Sequence, residues 1–156
     1  MRRRLTSNEG DHLLDGELQA SRQLSSSTMN EIQKLLALDG ARYDQFGWSV
    51  AVSGEMVVIG AFGDDDKGDQ SGSAYIFSAT TGAQLHKLLP TDGASGYGDN
   101  FGFTVAVSGD VVVVGAYLDN ENGNIDSGSA YVFNATTGAQ LRKLIATDGA
   151  EGDNFG

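Results

Sequence analysis

From Asn30 onward the chain alternates short apolar runs with polar, glycine-rich turns. At Gly47 to Val52, Trp48, Val50 and Val52 alternate with the small residues Gly47, Ser49 and Ala51, the period of a half-buried strand. Met56 to Ala61 is apolar without alternation, which suits a strand covered on both faces. Ser73 to Phe77 carries Tyr75 and Phe77, and Gln84 to Leu89 interleaves His86 and Lys87 as the most polar run. The same series returns at Gly102 to Val107, Val111 to Ala116, Ser129 to Phe133 and Gln140 to Ile145.

The recurrence is close at the level of residues. FGWSVAVSGEMVVIGAF at 46–62 comes back as FGFTVAVSGDVVVVGAY at 101–117, and Phe155-Gly156 opens a third copy. The repeats run at about 46–100 and 101–154, a period too long and too rich in short strands and turns for a helical array. The pattern predicts an all-β chain, a partial β-propeller of four-stranded antiparallel blades. Small residues in the first strand and polar ones in the fourth fit a wedge, narrow at a crowded axis and wide at the rim. Glycines would allow close backbone approach where blades converge.

Ahead of the repeats, residues 1–29 combine Arg2 to Arg4, four scattered acids and a serine cluster at Ser25 to Ser27. They read as a disordered or partly helical leader, leaving 30–156 as the repeat domain. At the junction two signals compete. Thr28-x-x-Glu31 is a capping-box pattern that starts helices, whereas the other two copies of the segment follow Thr-Thr-Gly turns and alternate like strands. Glu31 to Leu38 is therefore expected to be a strand.

Charge then narrows the partners. A net charge of −11 disfavours nucleic acid and anionic lipid and favours a cation, a basic protein surface or a neutral ligand. With no cysteine there is neither a disulfide framework nor a thiolate metal site. No apolar run is long enough to span a bilayer, and MRRRLTSNEG lacks the apolar core of a signal peptide. GxxxxGK[ST], HExxH and GxSxG are all absent, and His12 and His86 lie in the leader and on a rim strand.

The pairs Phe46-Gly47 with Gly60-Ala61-Phe62, and Phe101-Gly102 with Gly115-Ala116-Tyr117, resemble the FG-GAP repeat of integrin alpha-chain heads and related secreted or surface proteins. Phe62 and Tyr117 stand where that motif has proline. The resemblance implies a seven-bladed propeller, extracellular or cell-surface recognition, and in many members Ca²⁺. The family's cation loop lies between the FG and GAP strands, where this chain has only Ser53-Gly54-Glu55 and Ser108-Gly109-Asp110. One carboxylate in a tight hairpin cannot supply the six to eight oxygens that Ca²⁺ takes.

Acidic residues collect instead between the second and third strands. There, Asp64, Asp66 and Asp69, and in the next repeat Asp119, Glu121, Asn124 and Asp126, place oxygens at calcium-loop spacing beside a glycine turn. Glycine at position five makes the match incomplete. Two readings stand: a Ca²⁺ loop, or a solvated turn whose side chains cap backbone amides. Antiparallel order brings these loops to the same end as the loops between repeats. That end gathers Tyr43, Asp44, Tyr97, Asp99 and Tyr117 as ligand-face candidates. For the inter-repeat aspartates the competing reading is turn chemistry.

The functional expectation is a non-enzymatic recognition or adhesion module that presents an acidic face to a protein or glycan, Ca²⁺-assisted in one reading. The alternative is a structural scaffold for a hydrolase or lyase with its catalytic residues in blades outside these residues. Those remaining blades are themselves expected partners. Two and a half repeats cannot close a ring, so open sheet edges are expected to make the chain marginal or prone to aggregate.

Overall fold

A computed structural model describes residues 30–92, 98–121 and 123–156. The leader at 1–29 and Tyr97 lie outside the described residues. The chain divides into two units, Met1–Ile32 and Gln33–Gly156, and the second carries the blades.

Eight strands form two four-stranded antiparallel sheets, and none of the described residues is helical. The first sheet has the order β1 (Ser49–Ser53), β2 (Met56–Ala61), β3 (Ser73–Ser78), β4 (Gln84–Leu88). The second repeats it with β5 (Thr104–Ser108), β6 (Val111–Ala116), β7 (Ser129–Asn134) and β8 (Gln140–Leu144). Each sheet is an up-and-down blade of a β-propeller. The registers match pair for pair: Val50 opposes Ile59 as Val105 opposes Val114, and Tyr75 opposes Lys87 as Tyr131 opposes Lys143. Even the irregularity recurs, at Ile76/Phe77 and at Val132/Phe133.

Turn chemistry fixes these registers. Gly54 and Gly109 sit at φ 56° and 54°, first of the two residues that join β1 to β2 and β5 to β6. That is the left-handed geometry a two-residue hairpin demands of its leading glycine.

Packing gives the FG motif its job. Phe101 is fully buried and meets Tyr131 and Phe133 edge-on at 5.3 and 5.8 Å between ring centroids. Phe46 meets Tyr75 and Phe77 in the same way at 5.4 and 5.8 Å. Around Phe101, Val58, Ala74, Ile76 and Leu88 of the first blade pack on Val112, Val114, Tyr131 and Phe133 of the second as one core. A smaller core of Ile59, Ala61, Tyr75 and Phe77 is covered by Leu35, Ala37 and Phe46.

Glycine serves the close approach between blades. A Cβ placed on Gly60 would come within 1.9 Å of the Gly102 carbonyl oxygen. Ser49 Oγ donates to that same oxygen at 2.8 Å, so the first two strands of one blade meet the backbone just ahead of β5.

Two expectations need correction. Residues 30–38 form neither strand nor helix. A strand needs a ladder partner, and the stretch has none among the described residues. The segment still packs through Leu35 and Ala37, and Leu38 N–H donates to Gln84 Oε1 at 3.0 Å, as Thr91 N–H does to Gln140 Oε1 at 2.9 Å. It thus meets the first blade as the end of β4 meets the second. The inner strands also begin later than the alternation suggests, at Ser49 and Thr104, because Trp48 N–H and Phe103 N–H close turns onto Gln45 and Asn100.

Candidate functional site

The hairpin order sends the β2–β3 and inter-blade loops to one end, and backbone bonds lock them together. Gly98 N–H donates to Asp69 O, Asn100 N–H to Gln70 O, and Phe101 N–H to Ser71 O. Most of the described carboxylates lie at this end, whereas the loops at the opposite end carry Glu55 and Asp110.

Two clusters here have the same construction. In the first blade the Lys87 ammonium lies 2.6 Å from Asp39, 2.8 Å from Asp64 and 2.6 Å from Asp66. Asp64 is buried and also accepts from Tyr75 Oη at 2.9 Å and Ser73 Oγ at 3.0 Å. In the second blade Lys143 reaches Asp92 at 2.6 Å and Asp119 at 2.8 Å and pairs with Glu121. Asp119 accepts from Tyr131 Oη at 2.8 Å and from Ser129 Oγ. Each lysine also lies 5.2 Å from the ring centroid of its tyrosine. Asp92 leaves the end of β4 and pairs with Lys143 on β8, so this cluster ties one blade to the next.

Electrostatics follow from that packing. Burial alone would raise the pKa of Asp39, Asp64 and Asp119, but hydrogen bonds from the lysine and neighbouring donors outweigh it and hold all three below the ordinary carboxylate value. Burial works against the charge of Lys87 and Lys143, yet their carboxylate partners raise both above the ordinary lysine value. Burial is the largest influence on Tyr75, which is pushed up to about 12. Tyr131 rises likewise. The tyrosines are therefore fixed donors at neutral pH.

The calcium-loop residues are divided by this geometry. Asp64 and Asp66 join Asp39, and Asp119 and Glu121 join Asp92, with ligand-type oxygens of each trio within 4.8 Å of one another. Asp69 and Asp126 belong to neither trio, and Asn124 meets Glu121 through its backbone, N–H to O at 2.9 Å. Asn124 Nδ2 donates to Gly149 O at 2.9 Å, and Asp126 holds a left-handed turn at φ 53°. In each trio the lysine ammonium occupies the place between the oxygens. Sequence reading missed Lys87, Lys143, Asp39 and Asp92 as members. No local spacing signals the pairing: in KLLPTD, Asp92 stands five residues after Lys87 yet pairs with Lys143, while Lys87 pairs with Asp39.

Among the ligand-face candidates, Asp44 is buried and accepts from Ala41 N–H at 2.6 Å, which is turn chemistry; Asp153 treats Ala150 N–H likewise at 2.7 Å. Asp99 is also buried; burial first, then the charge of Asp119, pushes its pKa up to about 6. Next to it, Asn100 Nδ2 donates to Tyr117 Oη at 3.3 Å, while its Oδ1 is buried without a partner among the described residues. Tyr117 meets Phe103 in a tilted contact at 4.4 Å between centroids, and Phe103, Phe62 and Trp48 continue as a row of ring contacts at 5.0 to 5.5 Å. The residues that replace proline in GAP, Phe62 and Tyr117, are thus two members of an aromatic row between the blades. Tyr43 remains exposed.

Comparison with known proteins places this arrangement. No curated protein matches the chain. Among solved structures, the computationally designed Ika4 protein is similar at 22% identity and a TM-score of 0.46 over 77% of this chain. The designed Ika8 protein is similar at 17% identity and a TM-score of 0.32 over 67% of it. This chain spans 59% and 38% of those two proteins' lengths. The pattern of the FG-GAP repeat matches residues 29–77 and 83–133, more than half of the sequence, and the chain belongs to the FG-GAP repeat family.

Proposed function

We propose that this chain is a non-enzymatic recognition module of extracellular or cell-surface type whose acidic loop end binds a protein or glycan. One observation carries the reading: carboxylates gather on the interlocked loops at one end of both blades, against Glu55 and Asp110 on the loops at the other. A rigid sheet scaffold presenting irregular, charged loops is a common platform for binding. Peptide and glycan arrays probed with the chain at low and high salt test it. The expected result is binding that weakens with salt and falls when Asp148 and Glu151 are neutralised, with Glu55→Gln/Asp110→Asn as an unaffected control. Equal loss in the control, or catalytic turnover of an array substrate, would overturn the reading.

Calcium has a subordinate place in this proposal. Lys87 and Lys143 already supply positive charge to the two carboxylate trios, so the loop end works without a divalent ion. Millimolar Ca²⁺ is expected to leave the melting temperature of the chain unchanged. A rise with Ca²⁺ that saturates would return the loops to the cation-binding reading.

A further inference from the structure

The segments that turn the third strand of each blade into the fourth are SATTGAQL at 78–85 and NATTGAQL at 134–141, different at the first residue alone. The same bonds hold both backbones. Ala79 N–H donates to Glu55 O at 2.7 Å, and Ala135 N–H to Asp110 O at 2.8 Å. Gly82 N–H and Gly138 N–H reach back to Ser78 O and Asn134 O, each at 2.8 Å. The two side chains at the differing position also do one job. Ser78 Oγ accepts from Thr81 N–H at 3.1 Å, and Asn134 Oδ1 accepts from Thr137 N–H at 2.8 Å. Asn134 Oδ1 further accepts from Thr136 N–H at 3.1 Å and from Thr137 Oγ1 at 3.0 Å. An acceptor oxygen is all that the turn takes from this residue.

The amide nitrogen is therefore surplus to the blade. Every hydrogen bond from the Asn134 side chain to a described residue is made by Oδ1 and none by Nδ2. Asn134 is partly exposed, and Thr136 and Thr137 beside it are exposed. Asn134-Ala135-Thr136 is also the one Asn-x-Ser/Thr triplet in the sequence, the acceptor pattern for N-linked glycans. A sugar on Nδ2 replaces one amide hydrogen and leaves the bonds to Oδ1 intact, so the turn can close on the modified residue as it closes on Ser78.

We propose that Asn134 carries an N-linked glycan. The inference rests on the extracellular or cell-surface part of the reading above, because the donor is an oligosaccharide carried on a lipid diphosphate in the secretory pathway. Asn134 Nδ2 bonds to the anomeric carbon of that sugar as the carbon's bond to the diphosphate oxygen breaks. The lipid diphosphate leaves with the electron pair, and the amide nitrogen gives up a proton to a base of the transferase. Through Ala135 the turn is tied to Asp110, at the end opposite the acidic loops. A bulky, hydrophilic glycan there leaves the carboxylate-rich end open to a ligand and keeps partners off the other.

Translation of the whole chain behind a cleavable signal peptide, with endoplasmic-reticulum microsomes present, tests the proposal by mass spectrometry. One glycan is expected, released by peptide N-glycosidase with conversion of the asparagine to aspartate. Asn134→Ser, which puts the first repeat's residue into the second, is expected to take none and to fold as well. Ser78→Asn creates the same triplet in the first blade and is expected to take a second glycan, which shows that the transfer reaction works. The glycosylated chain is expected to melt at the same temperature as Asn134→Ser. Absence of a glycan from Asn134, or a melting temperature several degrees lower with the glycan in place, would overturn the proposal. An unmodified Asn134 with intact array binding would sink this inference and leave the recognition module standing; a glycan on Asn134 with no array binding would do the reverse.

Discussion

Lys143 gathers three carboxylates, and one of them, Asp119, is buried with a tyrosine and a serine hydroxyl also bonded to it. Replacing the lysine leaves that buried charge without its counterion, which typically costs about 3 kcal/mol. Lys143→Met is therefore expected to lower stability by that order in urea titration, by less at a pH where Asp119 is protonated. The signs of the pH dependence can be separated. Asp39, Asp64 and Asp119 have lowered folded pKa values, so their contribution is present above the unfolded value of 3.8 and is lost as pH falls through the lowered ones. The lysines are raised, so theirs is present below 10.5 and lost as pH climbs through the raised values. Asp99 runs the other way among the carboxylates: raised to about 6, it favours the folded state fully below 3.8 and loses that contribution as pH rises through 6. Asp99→Asn is expected to raise the melting temperature at neutral pH and to flatten its fall between those two values, read from melts across a pH series. None of these lysine–carboxylate partnerships is visible as a local motif, because the partners stand 21 to 51 residues apart.

At the scale of the strand and the blade, the sequence was far more legible. Alternation in β1 and β5, unbroken apolar runs in β2 and β6, and the mixed runs that follow in each repeat placed all eight strands between their turns. What it missed at this scale was 30–38, whose composition copies β4 but which lacks a ladder partner among the described residues. The glycines report on contacts between blades rather than within one. Gly60→Ala is expected to cost about 3 kcal/mol, because its methyl would meet the Gly102 carbonyl, backbone that cannot swing aside. Comparison of urea midpoints with Gly123→Ala checks this: that site is open but at φ 83°, so the variant isolates backbone strain from blade separation.

For the whole molecule, the two blades cover one another on one side only. Val105 and Val107 of β5 pack on the shared core, while their counterparts Val50 and Val52 of β1 are 57% and 63% exposed. Exposed valines beside Trp48 on an inner strand form an apolar patch that invites association. Sedimentation velocity is expected to show concentration-dependent self-association of the chain, reduced by Val52→Lys; a monomer at all concentrations would count against it. The repeat, the strand order and the acidity of one end were written in the sequence, since periodicity and turn residues act locally and antiparallel order follows from them. Tertiary structure alone decided what the acidic loops do. It brought Lys87 and Lys143 between carboxylates drawn from different loops and opened a hollow beside Tyr43. Such outcomes depend on three-dimensional distances between residues far apart in the chain, which no local spacing encodes.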